Sequence, residues 1–249
     1  MPQEHLRAPW FCIDFGGKTF SHFPDVLTLT EQVHRLKTVM RLKPGSAMNL
    51  IDLQTQIVYQ ALIQTVSAKN ISVELIAKQE KNAPKVKITA AVSLIKANRW
   101  EEMLQKLTEL AVTTIQPLIT ERTIIRDAKH ERWEQILIQA AEQSEQSRIP
   151  EIKPPLKLSE WIRTLDEPSL KLVPIEPYTQ EGLPPLKSVV SHFTSAVYAI
   201  GPEGGWTAHE VKLFQHSGFI GVSLGDTILR SETAAIFMAS ILRYEHDAL

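Results

Sequence analysis

The sequence contains a single cysteine, Cys12, among its 249 residues. One thiol excludes a disulfide within the chain and is typical of proteins in a reducing compartment. No apolar run approaches the roughly 20 residues that a membrane-spanning helix needs. The first seven residues also lack the basic start and apolar core of a signal peptide. We therefore expect a cytoplasmic protein that makes no use of a membrane.

Several catalytic and cofactor motifs are also missing from the sequence. It contains no Gly-x-Gly-x-x-Gly, no P-loop and no Gly-x-Ser-x-Gly, so a Rossmann dinucleotide site, a P-loop nucleotidase and a serine hydrolase are disfavoured. The eight histidines are scattered and form no cluster with metal-ligand spacing, so we expect no metal. With 27 basic and 28 acidic residues, the net charge is −1. Any contact with nucleic acid must therefore depend on local basic patches.

The most informative stretch begins with a strand and a glycine turn. Ser195–Ile200 is short and apolar, which predicts a buried strand. Gly201-Pro-Glu-Gly-Gly205 ends it, and Thr207 with Glu210 three residues later predicts a capping box at the start of a helix. We expect that helix to end at Gly218.

A second glycine turn follows in the same way. Phe219–Leu224 is the next predicted strand, Gly225 ends it, and Ser231 is expected to cap the last helix. A strand–helix–strand–helix order predicts parallel strands, and such sheets bind ligands beyond the carboxyl ends of their strands. Glycine in these turns lets a ligand approach the backbone. For either turn alone an ordinary structural role is favoured; the pair, beside Arg230 and Glu232, favours a binding site.

The rest of the chain divides into two parts. Up to Lys81, apolar residues recur at a period of two in short segments, which predicts a small β-barrel. From residue 82 onward, strands alternate with helices, including a helix that we expect Asn98 to cap with Glu101. We therefore predict a β domain over residues 1–81 and an α/β domain over residues 82–249. Within the β domain, the stretch from His34 to Lys43 is basic and free of carboxylates, which fits either a solvated helix face or a phosphate-binding patch.

The two glycine turns carry a family resemblance. Ile200-Gly-Pro-Glu-Gly-Gly-Trp206 and Leu224-Gly-Asp-Thr-Ile-Leu-Arg-Ser-Glu-Thr-Ala234 resemble the signature of the bacterial 16S ribosomal RNA (uridine-N3)-methyltransferases, members of the SPOUT superfamily. The resemblance extends to the helix after Asn98 and to Thr120-Glu-Arg122. It implies a trefoil-knotted α/β methyltransferase domain, preceded by a PUA-like RNA-binding β-barrel. It also implies S-adenosylmethionine as cofactor, small-subunit ribosomal RNA or the subunit itself as substrate, and a homodimer.

The resemblance and the turns together assign residues to the site. We expect the cofactor to bind at the ends of three strands, through Val173, Pro174, Ile200, Gly201, Glu203, Gly204, Gly205, Leu224, Gly225, Ile228, Leu229 and Thr233. We expect RNA to contact Arg35, Arg41, Arg122 and Arg148.

The chemistry of the implied reaction assigns two more residues. N3 of uridine becomes a good nucleophile only when its proton leaves, so the site needs a proton acceptor or a cation that stabilises the anion on the uracil oxygens. Arg230 is the candidate for the cation. Glu232 is the candidate to accept the proton or to orient Arg230, although an acid in the first turn of a helix is also favoured by the helix dipole.

Apart from Leu53, which replaces the glycine of the family's usual Phe-Asp-Gly turn, the sequence departs from the family pattern at two glycines and one arginine. Ala111 stands where the family usually has glycine, and Glu145-Gln146-Ser147-Arg148 replaces its Gly-Arg-x-Arg stretch. The loss of a phosphate-binding charge at Gln146 leaves two alternatives open: a non-catalytic RNA-binding or ribosome-assembly factor, and a methyltransferase acting on another RNA. For the homodimer, the residues suggest an interface on the broad small-apolar face of the last helix, formed by Ala234, Ala235, Met238, Ala239 and Leu242.

Overall fold

The computed structural model describes residues 8–30, 33–39, 41–79, 85–124, 129–165, 169–176, 180, 182–190 and 193–247. The chain forms two compact units. The first comprises Met1–Ala83 with Ala141–Ser147, and the second comprises Pro84–Ala140 with Arg148–Leu249. The boundary predicted at residues 81 and 82 lies outside the described residues.

The first unit is a barrel-like sheet of five strands. They are β1 (Trp10–Ile13), β2 (Asp25–Leu29), β3 (Ala47–Asp52), β4 (Val58–Val66) and β5 (Ile71–Gln79). Their order is β1-β3-β4-β5-β2, and every pair is antiparallel except β1 with β3. Inward residues alternate along β5, where Ile71, Val73 and Leu75 are all fully buried. The period of two seen in the sequence is thus the inner face of this sheet.

The predicted basic helix of the first unit has a different geometry. Residues Arg35–Val39 form a π-helical turn, in which Leu36 is fully buried. The next described residue, Arg41, has a φ of 52°, a left-handed conformation that ends any helix. Met40, which lies in the same basic stretch, is outside the described residues.

The second unit is an α/β structure built on parallel strands. In chain order it contains β6 (Lys87–Ser93), α1 (Ala97–Glu109), β7 (Thr114–Ile119), α2 (His130–Gln143), β8 (Glu151–Ile152), β9 (Leu156–Lys157), α3 (Leu158–Ile162), β10 (Leu170–Pro174), α4 (Leu186–Val189), β11 (Ser195–Ile200), α5 (Ala208–His216), β12 (Ile220–Val222) and α6 (Ser231–Asp247). The strand order is β12-β10-β11-β6-β7-β8, with β9 also on β7, and every pair is parallel. The α/β class expected from the alternation is confirmed.

The position of β10 in this sheet determines where a ligand can bind. It lies between β11 and β12, with Leu172 opposite Tyr198 and Pro174 opposite Val222. The chain therefore runs from β11 through α5 to β12 and passes over β10. Because the three strands are parallel neighbours, both glycine turns and the end of β10 lie at one edge of the sheet.

The small-apolar face of α6 is buried within its own unit. Ala235, Met238, Ala239 and Leu242 have no exposed surface and belong to the core that includes β6, β11 and α1. Tyr198 of β11 donates a hydrogen bond to the carbonyl of Ala235 over 3.0 Å, and burial raises the pKa of its phenol. The reason given for a dimer on this face was therefore wrong, because the chain's own sheet covers it.

The predicted cap of α1 was also wrong. The helix begins at Ala97 with Lys96 before it, and no side chain caps its amino terminus. Glu101 instead forms a bidentate ion pair with Arg132 of α2, whose Nε and Nη2 lie 2.5 and 2.7 Å from its two carboxylate oxygens. The hydrogen bonds from Arg132 lower the pKa of the Glu101 carboxyl. The local pattern predicted that Glu101 would complete the cap with Asn98, but its carboxylate pairs instead with Arg132, which is distant in sequence.

Candidate active site

A cavity of about 320 Å³ opens at the carboxyl ends of β10, β11 and β12. Both glycine turns, the end of β10 and one residue of α1 form its wall. The lining residues are Arg99, Pro174, Ile175, Glu176, Ile200, Gly201, Pro202, Glu203, Gly205, Trp206, Leu224, Gly225, Thr227, Ile228, Leu229, Arg230, Ser231 and Ala234. The two turns that the sequence singled out thus share one cavity.

The first turn is fastened to β10 by the Trp206 side chain. Its indole Nε1 donates a hydrogen bond to the carbonyl of Pro174 over 3.1 Å, and its ring packs edge-on against Phe214 with centroids 4.7 Å apart. A Cβ on Gly201 would lie 3.2 Å from the same ring. Gly201 therefore allows the indole to fold under the turn, which fixes the turn against the end of β10.

The loop after β7 holds the first turn from another direction. Glu210 is buried, forms the predicted capping box with Thr207, and also accepts a hydrogen bond from the backbone N–H of Glu121 over 2.9 Å. Arg122 Nη1 donates to the carbonyl of Gly204 over 2.6 Å. Arg122, which we expected to contact RNA, thus supports the backbone of the turn.

Gly205 completes the first turn in a conformation that needs glycine. Its φ is +67°, and a Cβ there would lie only 2.8 Å from Oε1 of Glu176. A larger residue would be strained by its own backbone and would push the Glu176 carboxylate away.

The second turn makes far fewer contacts. The described contacts of its backbone at Gly225 are with the Ser223 hydroxyl, at 3.2 Å and 3.4 Å. Gly225 has a φ of +116°, and nothing lies within 4 Å of where its Cβ would be. Ile228 is 68% exposed, and Arg230 is exposed on the cavity wall. Arg230 uses its backbone carbonyl to accept from Ala234 at the start of α6, so α6 begins one residue earlier than the predicted cap at Ser231 implied.

Arg99 of α1 reaches both turn regions, although the sequence gave no sign of it. Its Nε lies 3.6 Å from Oε1 of Glu232, and its Nη1 lies 4.0 Å from Oε1 of Glu203. Glu232 is buried, and its other oxygen, Oε2, has no hydrogen-bond partner. Glu232 thus pairs with Arg99 rather than with Arg230. A sequence cannot reveal this pair, because more than 100 residues separate its members.

Most of the predicted cofactor residues line the cavity, but four of the predicted residues do not. Val173 is buried in the core of β10, Gly204 faces Arg122, Thr233 is exposed on α6, and Glu232 is buried and does not line the cavity. The predicted residues on the wall are Pro174, Ile200, Gly201, Glu203, Gly205, Leu224, Gly225, Ile228, Leu229 and Arg230.

Arg35, one of the predicted RNA contacts of the first unit, is bound to a buried carboxylate. Its Nη1 lies 2.6 Å from Oε2 of Glu142, whose side chain is 2% exposed, and its guanidinium stacks on Phe11 at 5.4 Å. The other oxygen of Glu142 accepts from the backbone N–H of Cys12, and burial raises the pKa of the Cys12 thiol to about 12. Arg35 therefore has a structural role that the basic pattern did not show.

The remaining predicted RNA residues are exposed. Arg41 in the first unit and Arg148 in the second both present their side chains to solvent.

Within the part of the chain that the structure describes, no helix is long and apolar enough to cross a membrane, and no three His, Cys, Asp or Glu residues are grouped to hold a metal ion.

Several known proteins are similar to this chain in both sequence and fold. Residues 81–243 match the RNA methyltransferase domain family. A ribosomal RNA small subunit methyltransferase E from Synechocystis sp. is 34% identical over 215 residues, covering 84% of this chain and 69% of that protein. The crystal structure of a ribosomal RNA small subunit methyltransferase E from Neisseria gonorrhoeae, bound to S-adenosylmethionine, superimposes with a TM-score of 0.84 at 28% identity, covering 95% of this chain and 97% of that one. A putative methyltransferase from Legionella pneumophila, also with S-adenosylmethionine bound, gives a TM-score of 0.82 at 29% identity, with coverages of 96% and 98%.

Proposed function

Because this chain belongs to the family of ribosomal RNA small subunit methyltransferases E, with the knotted α/β fold of the SPOUT superfamily, we propose that it methylates N3 of a uridine in 16S ribosomal RNA. The methyl donor is S-adenosylmethionine. One observation carries the proposal: both glycine turns and the end of β10 enclose a single cavity with an arginine, Arg230, on its wall. The activity belongs in the cytoplasm, where ribosomal subunits are made.

The cavity fits the donor in size and in backbone access. Its volume of about 320 Å³ lies within the range of small-molecule sites, roughly 300–1,000 Å³. Gly225 leaves the backbone of the second turn accessible, because it has no side chain and nothing lies within 4 Å of where its Cβ would be. The wall combines apolar residues such as Ile200 and Leu229 with glycines of both turns, where a ligand can approach the backbone. When bound, the donor supplies a methyl group already activated on a sulfonium sulfur.

The chain must then orient the RNA base and manage its charge. Orientation of two reactants in one site can lower a barrier by about 7–11 kcal/mol. The Arg230 guanidinium has no hydrogen-bond or ion-pair partner among the described residues, so it is available to the uracil oxygens. There it stabilises the negative charge that develops as the N3 proton leaves. N3 lies on the pairing edge of the base, so the uridine must be unpaired or splayed out.

We propose that Glu232, the neighbour in sequence of the lining residue Ser231, accepts the N3 proton. Its Oε2 has no hydrogen-bond partner and can therefore accept one, while Arg99 stabilises the charge on Oε1 from 3.6 Å away. The alternative role, orienting Arg230, finds no support in the contacts, since the ion pair of Glu232 goes to Arg99.

We propose that residues 1–81, which form most of the first unit, serve as a PUA-like RNA-binding domain and that residues 82–249 carry the chemistry. Arg41 is the exposed arginine of its basic stretch, and phosphate contacts position RNA without reading bases. Removing Arg41 should weaken RNA binding and reduce its salt dependence, with no change in cofactor affinity. In the second unit, Arg148 adds an exposed cation, whereas Arg35 and Arg122 contribute through the structures they hold.

We also propose a homodimer, on a different face of α6 from the one that the sequence indicated. Phe237 is 39% exposed and Tyr244 is 68% exposed, and with half-buried Ile241 they fall on one side of the helix at spacings of four and three. This apolar stripe is the surface that a second copy would cover. Light scattering at micromolar concentration that shows a monomer would contradict this.

Ribosomal RNA from cells with and without the gene tests the function as a whole. Nucleoside mass spectrometry should find one N3-methyluridine in 16S RNA that disappears with the gene. Unchanged RNA would favour the non-catalytic assembly factor, and loss of a different methylated nucleoside would favour another substrate.

A further inference from the structure

One acidic residue on the cavity wall has no partner for its charge among the described residues. Glu176 lies two residues after the end of β10 and lines the cavity, yet it was not among the residues that the sequence assigned to the site. Its Oε2 is buried and has no hydrogen-bond partner. Among the described residues, no cation lies within ion-pair distance of this carboxylate. Its described hydrogen bond uses the backbone carbonyl, which accepts from the N–H of Gln180 over 3.4 Å.

The other carboxylate on the cavity wall, Glu203, and the neighbouring Glu232 are compensated. Arg99 lies between Glu203 and Glu232, at 4.0 Å and 3.6 Å. Arg230 is the opposite case, a cation on the wall without an anionic partner among the described residues. The wall therefore presents one uncompensated negative charge and one uncompensated positive charge, and they come from different strand ends.

The first turn is shaped around the Glu176 carboxylate. Gly205 lies so close that a Cβ would be 2.8 Å from Oε1 and 3.2 Å from Oε2. The Trp206 indole holds this turn on the last residue of β10, two positions before Glu176. The carboxylate thus lies against the backbone of Gly205, where its buried oxygen, Oε2, gains no hydrogen bond.

A carboxylate with one buried oxygen and no partner is unfavourable for the empty protein, because the desolvation of that oxygen is not offset. The cost is recovered if a ligand brings the missing positive charge. The proposed methyl donor carries two cationic groups, a sulfonium and an α-ammonium, against one carboxylate. We propose that Glu176 binds a cationic group of S-adenosylmethionine and so selects the charged donor. This assignment rests on the proposed function.

Calorimetry with three ligands tests the assignment on the full chain. The ligands are S-adenosylmethionine, S-adenosylhomocysteine, which lacks the sulfonium charge, and 5′-methylthioadenosine, which lacks both cationic groups. Glu176→Gln keeps the shape of the side chain and removes its charge. It should weaken S-adenosylmethionine about tenfold or more, as expected for a charge-assisted hydrogen bond, and leave methylthioadenosine unchanged. A matching loss for S-adenosylhomocysteine identifies the ammonium as the partner, and no loss for it identifies the sulfonium.

Two controls separate this contact from a structural effect. Glu160→Gln removes the same charge from the exposed end of α3 and should change none of the three affinities. Without ligand, Glu176→Gln should melt at the same temperature as the wild type or higher, because it relieves an unpaired charge.

Equal losses for all three ligands, or wild-type affinity for S-adenosylmethionine in Glu176→Gln, would overturn the assignment while leaving the proposed function intact. A wild-type protein that does not bind S-adenosylmethionine would overturn both.

Discussion

The two glycine turns face the same cavity but are held in opposite ways. The first is tied to β10 by Trp206, to the loop after β7 by Arg122, and to its helix by the Thr207–Glu210 capping box. The second has its described backbone contacts with Ser223 and leaves Ile228 and Arg230 exposed. A site needs both kinds of wall. A wall that is fixed by many contacts, like the first turn, preorganises the cofactor site. An exposed wall, like the second turn, leaves side chains free to contact a large substrate.

The largest effect should come from the exposed second turn. Arg230→Ala removes the guanidinium proposed to stabilise charge on uracil, so the single-turnover rate at saturating RNA should fall by a factor on the order of 100 or more. Affinity for RNA and for the cofactor should be nearly unchanged. Arg132→Ala, in the exposed ion pair with Glu101, serves as the control for loss of an arginine. If RNA affinity falls while the saturated rate survives, Arg230 is a positioning contact.

Glycine-to-alanine changes compare the two turns directly. Gly205→Ala combines a left-handed backbone with a collision at Glu176; we expect a loss of about 1–3 kcal/mol of unfolding free energy together with weaker cofactor binding. Gly225→Ala meets no neighbour within 4 Å, so only backbone strain should appear. Urea unfolding and calorimetry measure both quantities. Equal losses in both variants would show that the crowding around Gly205 is unimportant.

Side-chain changes in the two turns should differ in stability. Trp206→Phe keeps the aromatic packing on Phe214 but leaves the Pro174 carbonyl without its donor, which should cost about 1 kcal/mol. Ile228→Ala, on a side chain that is 68% exposed, should change stability by less than about 0.5 kcal/mol. Thermal unfolding measures both. A larger loss for Ile228→Ala would mean that the second turn is held more firmly than its contacts indicate.

The smallest effect concerns two turns where the family's usual glycine is absent. Ala111 has a φ of 53° and Glu145 a φ of 56°, so the backbone keeps the left-handed conformation that glycine accepts at least cost. Ala111→Gly should therefore raise the unfolding free energy by about 1 kcal/mol or less, and Glu145→Gly should act in the same direction. Decreased melting temperatures would show that these residues stabilise the protein in another way.

The sequence predicted those features that depend on neighbours along the chain. The Thr207–Glu210 capping box, the end of α5 shortly before Gly218 and the strand β11 all follow from local patterns. The sharing of one cavity by both turns followed from the parallel order of the strands.

Features that depend on distant partners could not be predicted from local pattern. Arg122 was assigned to RNA and supports Gly204, Arg35 was assigned to RNA and pairs with Glu142, and Glu101 left its expected cap for Arg132. Glu176 was missed for the same reason, because only the fold shows that its carboxylate lies on the cavity wall without a partner among the described residues. A charged residue in a sequence shows its charge but not what the fold places beside it.

The most direct test of the central claim uses purified protein, S-adenosylmethionine with a labelled methyl group, and 16S RNA presented free and in the small subunit. After digestion to nucleosides, we predict the label on N3-methyluridine from a single site, and a strongly reduced rate for Arg230→Ala. Label on another atom or base, or no transfer to either form of the RNA while the cofactor binds, would contradict the account.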